Sequence, residues 1–272
     1  MNYPATVNSF VLDKYEVTVG RFRKFVEAGQ GTQGSPPAAG AGGHPRLPGS
    51  GWDSAWNTNL LPDTVALRNE VHCASQYQTW TDDPGINENK PMNCVTWYEA
   101  MAFCIWDGGY LPTEAEWTYA AMGGGEQRAF PWSTPVSSTN IDCSYANYAI
   151  DNPIGMYCVN GMTGALNRVG SESTKGDGKW GHSDLAGNVW EWMLDWYVSP
   201  YPQPQSCNDC ADLTASSTRV ILGGGFNNDD SNLRTAHRYD VPPGSRGNNV
   251  GLRCYPPSGK SCWRAARMAT RS

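Results

Sequence analysis

Long apolar runs are missing from this chain of 272 residues. The longest, Ala100 to Trp106, has seven residues, where a bilayer span needs about 20, so no membrane span is expected. Charge is scarce as well. Asp, Glu, Lys and Arg make up 17%, against roughly 25% in ordinary soluble domains. Twenty Lys and Arg face 26 Asp and Glu, a net charge of −6, and the dense basic stretch is confined to Arg264–Arg271. Nucleic acid is therefore not expected as the main partner. The first 25 residues hold no basic segment followed by an apolar one, so no secretory signal is read there. No internal repeat and no interdomain linker is visible.

What the chain has in quantity is Gly (30), Pro (19), Trp (12) and Tyr (13). Aromatics at this level belong to a packed core, and the Gly and Pro to long loops. Nine scattered cysteines suggest a disulfide framework, and hence an exported protein (periplasmic, cell-surface or extracellular). Buried thiols in a reducing compartment are the alternative. An odd number leaves at least one cysteine outside any internal pairing.

Three helices can be placed by their caps. Thr18 precedes Val19, Phe22, Phe25 and Val26 at helical spacing, with Gly29 as the stop. Thr96 and Glu99 form a capping box, in which hydroxyl and carboxylate each satisfy an orphan amide. Trp97, Ala100, Met101, Cys104 and Ile105 then line one face. Thr113 and Glu116 repeat the device. Strands are expected near Phe10–Val17, at Val189–Trp196, Arg219–Leu222 and Val250–Tyr255. Residues 30–62 read as a long loop pinned by Trp52 and Trp56, and 223–249 as a polar connection. The class is α+β: a single domain over 1–272, with a core of about 8–256 and a basic tail at 257–272.

Several groups could carry chemistry. Asp184-Leu-Ala-Gly187-Asn-Val189-Trp-Glu191 sets two carboxylates seven residues apart around a glycine. Calcium takes about six to eight hard oxygens from carboxylates and carbonyls, so this stretch could wrap one ion, or be a solvated turn. Cys207-Asn-Asp-Cys210 has zinc-knuckle spacing but no second pair, which leaves a local disulfide as the other reading. Gly223-Gly-Gly225 follows a strand without the Lys-Ser/Thr of a phosphate loop. Arg234, His237 and Arg238, with Asp229, Asp230 and Asp240 nearby, could form an ion-pair net or line a polar ligand site.

Five segments together carry a resemblance. Phe10–Val26 (FVLDKYEVTVGRFRKFV), Pro91–Trp106 (PMNCVTWYEAMAFCIW), Leu111–Ala121 (LPTEAEWTYAA), Asp184–Trp196 (DLAGNVWEWMLDW) and GLRC at 251–254 occur in the order of the formylglycine-generating enzyme, or sulfatase-modifying factor, family. The match runs from about Phe10 to Tyr255. It implies a C-type-lectin-like α+β fold with few short strands and helices and long loops. It also implies calcium held by Asp184, Gly187, Val189 and Glu191, with a second site involving Asn147 and Tyr148. Catalytic members bind copper through two cysteines after the glycine-rich turn. Here that stretch reads Asn227-Asn-Asp-Asp-Ser-Asn-Leu-Arg234, without cysteine, and oxygen ligands do not replace thiolate for Cu(I).

Copper and iron are accordingly not expected, and no catalytic residue is assigned. The resulting expectation is a non-catalytic, calcium-stabilised, exported protein that binds a protein, peptide or glycan, or self-assembles. Its candidate surface is Asn228, Asp230, Arg234, His237, Arg238, Tyr239 and Arg246. The alternative is a metal-dependent oxidase of the same family, formylglycine-generating or sulfoxide-synthase-like, with non-standard ligands such as Asp229, Asp230 and His237.

Overall fold

A computed structural model describes residues 5–73, 76–151, 156–158, 165–201, 207–255 and 266–267. The basic tail expected over 257–272 lies outside them except for its short paired segment. The strands are β1 (Ala5–Thr6), β2 (Val11–Leu12), β3 (Ala149–Asp151), β4 (Met156–Tyr157), β5 (Trp190–Trp196), β6 (Cys207–Asn208), β7 (Arg219–Leu222), β8 (Arg238–Val241), β9 (Val250–Gly251) and β10 (Ala266–Arg267). The α-helices are α1 (Val19–Glu27), α2 (Thr64–Glu70), α3 (Trp97–Trp106) and α4 (Glu114–Ala121).

The central sheet has the order β8–β7–β5–β9. β7 lies antiparallel to both β5 and β8, and β9 runs parallel to β5 with Trp190 opposite Val250. Three two-stranded pairs, β1–β6, β2–β10 and β3–β4, lie outside it.

The helices begin where hydroxyl caps place them. Thr18 accepts from Arg21 N–H, and both Thr96–Glu99 and Thr113–Glu116 form complete capping boxes. One expectation is corrected. α3 buries every residue from Trp97 to Cys104 and not a single face, as a helix apolar all round does when it runs through a core. Phe22 and Phe25 of α1 pack on Phe103 at ring separations of 5.5 and 5.6 Å. Two of the buried indoles on α3 and β5 keep their hydrogen bonds: Trp97 Nε1 donates to Met193 O at 2.8 Å and Trp192 Nε1 to Val95 O at 3.1 Å.

The 30–62 loop is pinned as expected, with Trp52 buried and Trp56 edge-on to Trp97 at 5.1 Å. The strands at the two ends of the family match are shorter than expected. After β9 the chain leaves the sheet, and Leu252 O and Cys254 O accept from Val17 and Asp13 N–H at 2.9 and 3.0 Å. Not anticipated were α2, which buries Leu67 alone, β8, which lies in the polar connection, and the short paired strands β1, β3, β4, β6 and β10.

Disulfides join Cys73–Cys94, Cys104–Cys254, Cys143–Cys158 and Cys207–Cys210. The last settles that motif as a local disulfide. Cys262 lies outside the described residues.

Candidate functional site

The 184–191 segment enters β5 through three left-handed residues, Asp184, Gly187 and Asn188, at φ 59°, 88° and 63°. At Gly187 a Cβ would lie 2.5 Å from Asn147 O, so only glycine permits this approach. The turn aims its polar groups inward. Glu191 is fully buried and accepts from Arg253 Nη2 at 2.7 Å, Arg253 Nε at 3.0 Å and Trp117 Nε1 at 2.7 Å. Arg253 also donates to the carbonyls of Asp13, Lys14 and Ser183. Glu16 accepts from Asn188 Nδ2 at 2.7 Å and Val189 N–H at 3.1 Å. Asp184 accepts from Gly170 N–H at 2.6 Å.

Three buried carboxylates, Glu16, Asp184 and Glu191, thus lie in the field of one guanidinium, which hydrogen-bonds Glu191. Burial, then the neighbouring charges of Asp184 and Glu191, push Glu16 well above the usual carboxylate range. Burial, helped by Glu172 and Glu191, pushes Asp184 up to about 7 despite the Gly170 hydrogen bond. Close by are two buried oxygens without a partner among the described residues, Asn147 Oδ1 and Glu172 Oε2. They belong to one network. Asn147 Nδ2 donates to Asn188 Oδ1 at 3.2 Å, Asn167 N–H donates to the same oxygen at 2.9 Å, and Asn167 Nδ2 donates to Glu172 at 2.6 Å. Among the described residues no three His, Cys, Asp or Glu side chains are arranged as a metal-binding group. A cation here would therefore depend on amide and main-chain oxygens beside Asp184, a hard donor set that suits calcium. Of the positions expected from the sequence, Glu191 is already neutralised by Arg253. Tyr148 is buried, and its carbonyl accepts from Cys158 N–H at 3.1 Å.

The second region is the 223–249 connection. Three of its seven candidate side chains fasten this connection to β5, α4 and α3. Asn228 Oδ1 accepts from Trp190 Nε1 at 2.8 Å and Gly225 N–H at 3.1 Å. Arg238 forms a double hydrogen bond with Glu114 of α4, at 2.6 and 2.8 Å, between the rings of Tyr197 and Tyr201. Arg246 does the same with Glu99 of α3, at 2.6 and 2.5 Å. Arg238 is thus held by Glu114, and the nearby Asp229, Asp230 and Asp240 are not its partners.

The exposed remainder is Asp230, Arg234, His237 and Tyr239. Asp230 and Arg234 sit 3.6 Å apart with both side chains well exposed. His237 Nε2 lies 3.2 Å from Asn232 Nδ2, and desolvation holds its ring below the usual histidine range. Tyr239 is 53% exposed. The rings of His237 and Tyr239 both lie 5.8 Å from Trp190. Trp190 was legible as a strand residue but not as the floor of this surface. Glu99 and Glu116 were read as caps, and Glu99 adds the pairing with Arg246. Glu16, Glu114 and Arg253 gave no signal separable from ordinary charged positions.

A small curled sheet, capped helices and disulfide-tied loops around a buried carboxylate–arginine centre define a C-type-lectin-like α+β protein. Residues 2–256 match the sulfatase-modifying factor enzyme 1-like domain, and the chain belongs to that family, the family of the formylglycine-generating enzyme. The formylglycine-generating enzyme of Mus musculus is 30% identical over 268 residues, covering 92% of this chain. The chain spans 66% of that enzyme's length. The mouse inactive C-alpha-formylglycine-generating enzyme 2 is 27% identical over 270 residues, covering 94% of this chain and 77% of its own. The solved structure of PvdO from Pseudomonas aeruginosa shares the fold, with a TM-score of 0.55 at 18% identity over 90% of this chain and 79% of that one.

Proposed function

We propose that this chain is a non-catalytic, calcium-stabilised, exported ligand-binding domain of the family, with a protein, peptide or glycan as ligand. One observation carries the reading. The segment after β7, to which the family resemblance assigns the copper thiolates, holds no cysteine, and the eight described cysteines are all in disulfides. A soft Cu(I) ion needs thiolate. Asn228 instead supports Trp190, and Leu233 is buried in the core. A family that includes a relative named as inactive supports this reading too.

Calcium is supported by the surplus of buried carboxylate beside Arg253 and by the oxygens of Asn147 and Glu172 that have no partner among the described residues. The ligand surface is the exposed part of the connection: Asp230 and Arg234, together with His237 and Tyr239 against Trp190. The four disulfides support export.

The competing reading, an oxidase with other metal ligands, draws on the 30% identity to the mouse enzyme. Elemental mass spectrometry on protein purified without chelator or affinity metal separates the two. The proposal expects about one calcium per chain or more and no copper or iron. Stoichiometric copper or iron would overturn it.

A further inference from the structure

Cys207 and Cys210 close a ring of one short turn, and that ring holds two distant segments. Inside it Asp209 is 2% exposed and left-handed, at φ 46°, a conformation uncommon outside glycine. Its carboxylate accepts from Asn8 N–H at 2.7 Å and from the Asn8 side-chain amide, and pairs with Arg46 Nε at 2.6 Å. Its own N–H donates to Thr6 O at 2.9 Å. β6 lies parallel to β1, with Ala5 opposite Cys207 and Thr6 opposite Asn208. Arg46 continues the connection, because its N–H donates to His44 Nδ1 at 3.2 Å and His44 Nε2 meets Glu116 at 3.1 Å. The turn thus fastens β1 on one side and the glycine-rich 40–51 loop on the other.

The four disulfides differ in what they do. Cys104–Cys254 spans 150 residues with both cysteines fully buried. Cys207–Cys210 spans three, and both its cysteines are partly exposed. A cross-link restricts the unfolded chain least when its loop is shortest, so global stability is not what this one chiefly serves. An accessible sulfur is open to attack by a thiolate, and C-x-x-C pairs are the common exchangeable kind.

The structure assigns Cys207–Cys210 as a site of reversible thiol–disulfide exchange with a dithiol reductant, clamping β1 and the Arg46 loop when oxidised and freeing them when reduced. The reductant's thiolate attacks one cysteine sulfur, and the other cysteine leaves as thiolate and takes up a proton. The reductant's second thiolate then attacks its own sulfur in the mixed disulfide and expels the first cysteine, which is protonated in turn. Two electrons and two protons pass to the pair, and the reductant departs as a disulfide. Both thiols stay on one turn, so reclosure by an oxidised dithiol is intramolecular in its second step. The assignment is independent of any ligand at the Trp190 surface.

The test treats the full chain with increasing dithiothreitol, traps free thiols by alkylation and maps them by peptide mass spectrometry, with hydrogen–deuterium exchange on the same samples. Cys207 and Cys210 should become alkylated at about tenfold less reductant than Cys104 and Cys254. Exchange at residues 5–9 should then rise about threefold or more, with β5 and β7 unchanged. Asp209→Ala should loosen residues 5–9 without reductant, its disulfide intact. Opening at the same reductant as Cys104–Cys254, or opening without faster exchange at residues 5–9, would overturn the assignment.

Discussion

Two polar regions adjoin the start of β5, at the neighbouring residues Glu191 and Trp190, and they differ in what water can reach. Around Glu191, the carboxylates of Glu16 and Asp184 are buried near Arg253. In the 223–249 connection, Asp230, Arg234, His237 and Tyr239 stand half in solvent, the last two against Trp190. Charges of the same kinds do different work in the two places. Buried charges need partners, so each has one geometry and removing one strands the others. Exposed charges are screened and their pairs are worth little to folding, which leaves them free for recognition.

The largest predicted effect tests that contrast directly. Arg253→Met leaves Glu191 buried without its cation and should cost about 3–5 kcal/mol in urea unfolding. Arg234→Met, at the exposed pair with Asp230, should cost under about 0.5 kcal/mol. Similar losses at the two sites would break the comparison.

The next effect concerns pH. Burial pushes the Asp184 carboxyl up to about 7 in the folded chain, against an ordinary 3.8. The folded state then holds a proton that the unfolded state has lost between those values. This centre therefore stabilises the metal-free fold at low pH and loses that contribution as pH rises through about 7. Glu16, raised for the same reason, acts in the same direction. In chelator, wild-type stability should fall by about 2–4 kcal/mol from this cause between pH 4.5 and 7.5. Asp184→Asn should flatten that slope, and an unchanged slope would show that Asp184 is not its source.

A smaller effect comes from Trp117→Phe. It removes the 2.7 Å hydrogen bond to Glu191 while keeping an aromatic ring, and should cost about 1–3 kcal/mol by thermal unfolding. The smallest is at the surface. Tyr239→Ala should change stability by less than about 0.5 kcal/mol while weakening ligand binding tenfold or more. A large loss of stability there would make Tyr239 a core residue and not a contact.

The contrast also explains what the sequence could tell. α1, α3 and α4 were legible because hydroxyl caps and apolar spacing act locally. β5 and β7 were legible as apolar runs. β8 was not, because Arg238-Tyr-Asp-Val241 has a polar pattern and its strand form comes from pairing with β7 and from the Arg238–Glu114 bond, which joins residues 124 apart. α2 was missed because Leu67 is its sole buried residue. The Asp184–Glu191 segment stood out by its spacing. That Arg253 neutralises Glu191 did not, because the partners lie 62 residues apart. In the 223–249 connection, composition marked a polar surface. It could not separate Arg238 and Arg246, which fasten the loop to α4 and α3, from Arg234, His237 and Tyr239, which remain exposed.

The most direct test of the central claim is calcium-dependent unfolding at pH 7.5, with chelator-treated protein titrated with calcium. The account predicts a Tm that rises with calcium concentration in the wild type, by mass action on the folded state, and a rise lost or much reduced in Asp184→Asn. A Tm indifferent to calcium in the wild type would contradict it.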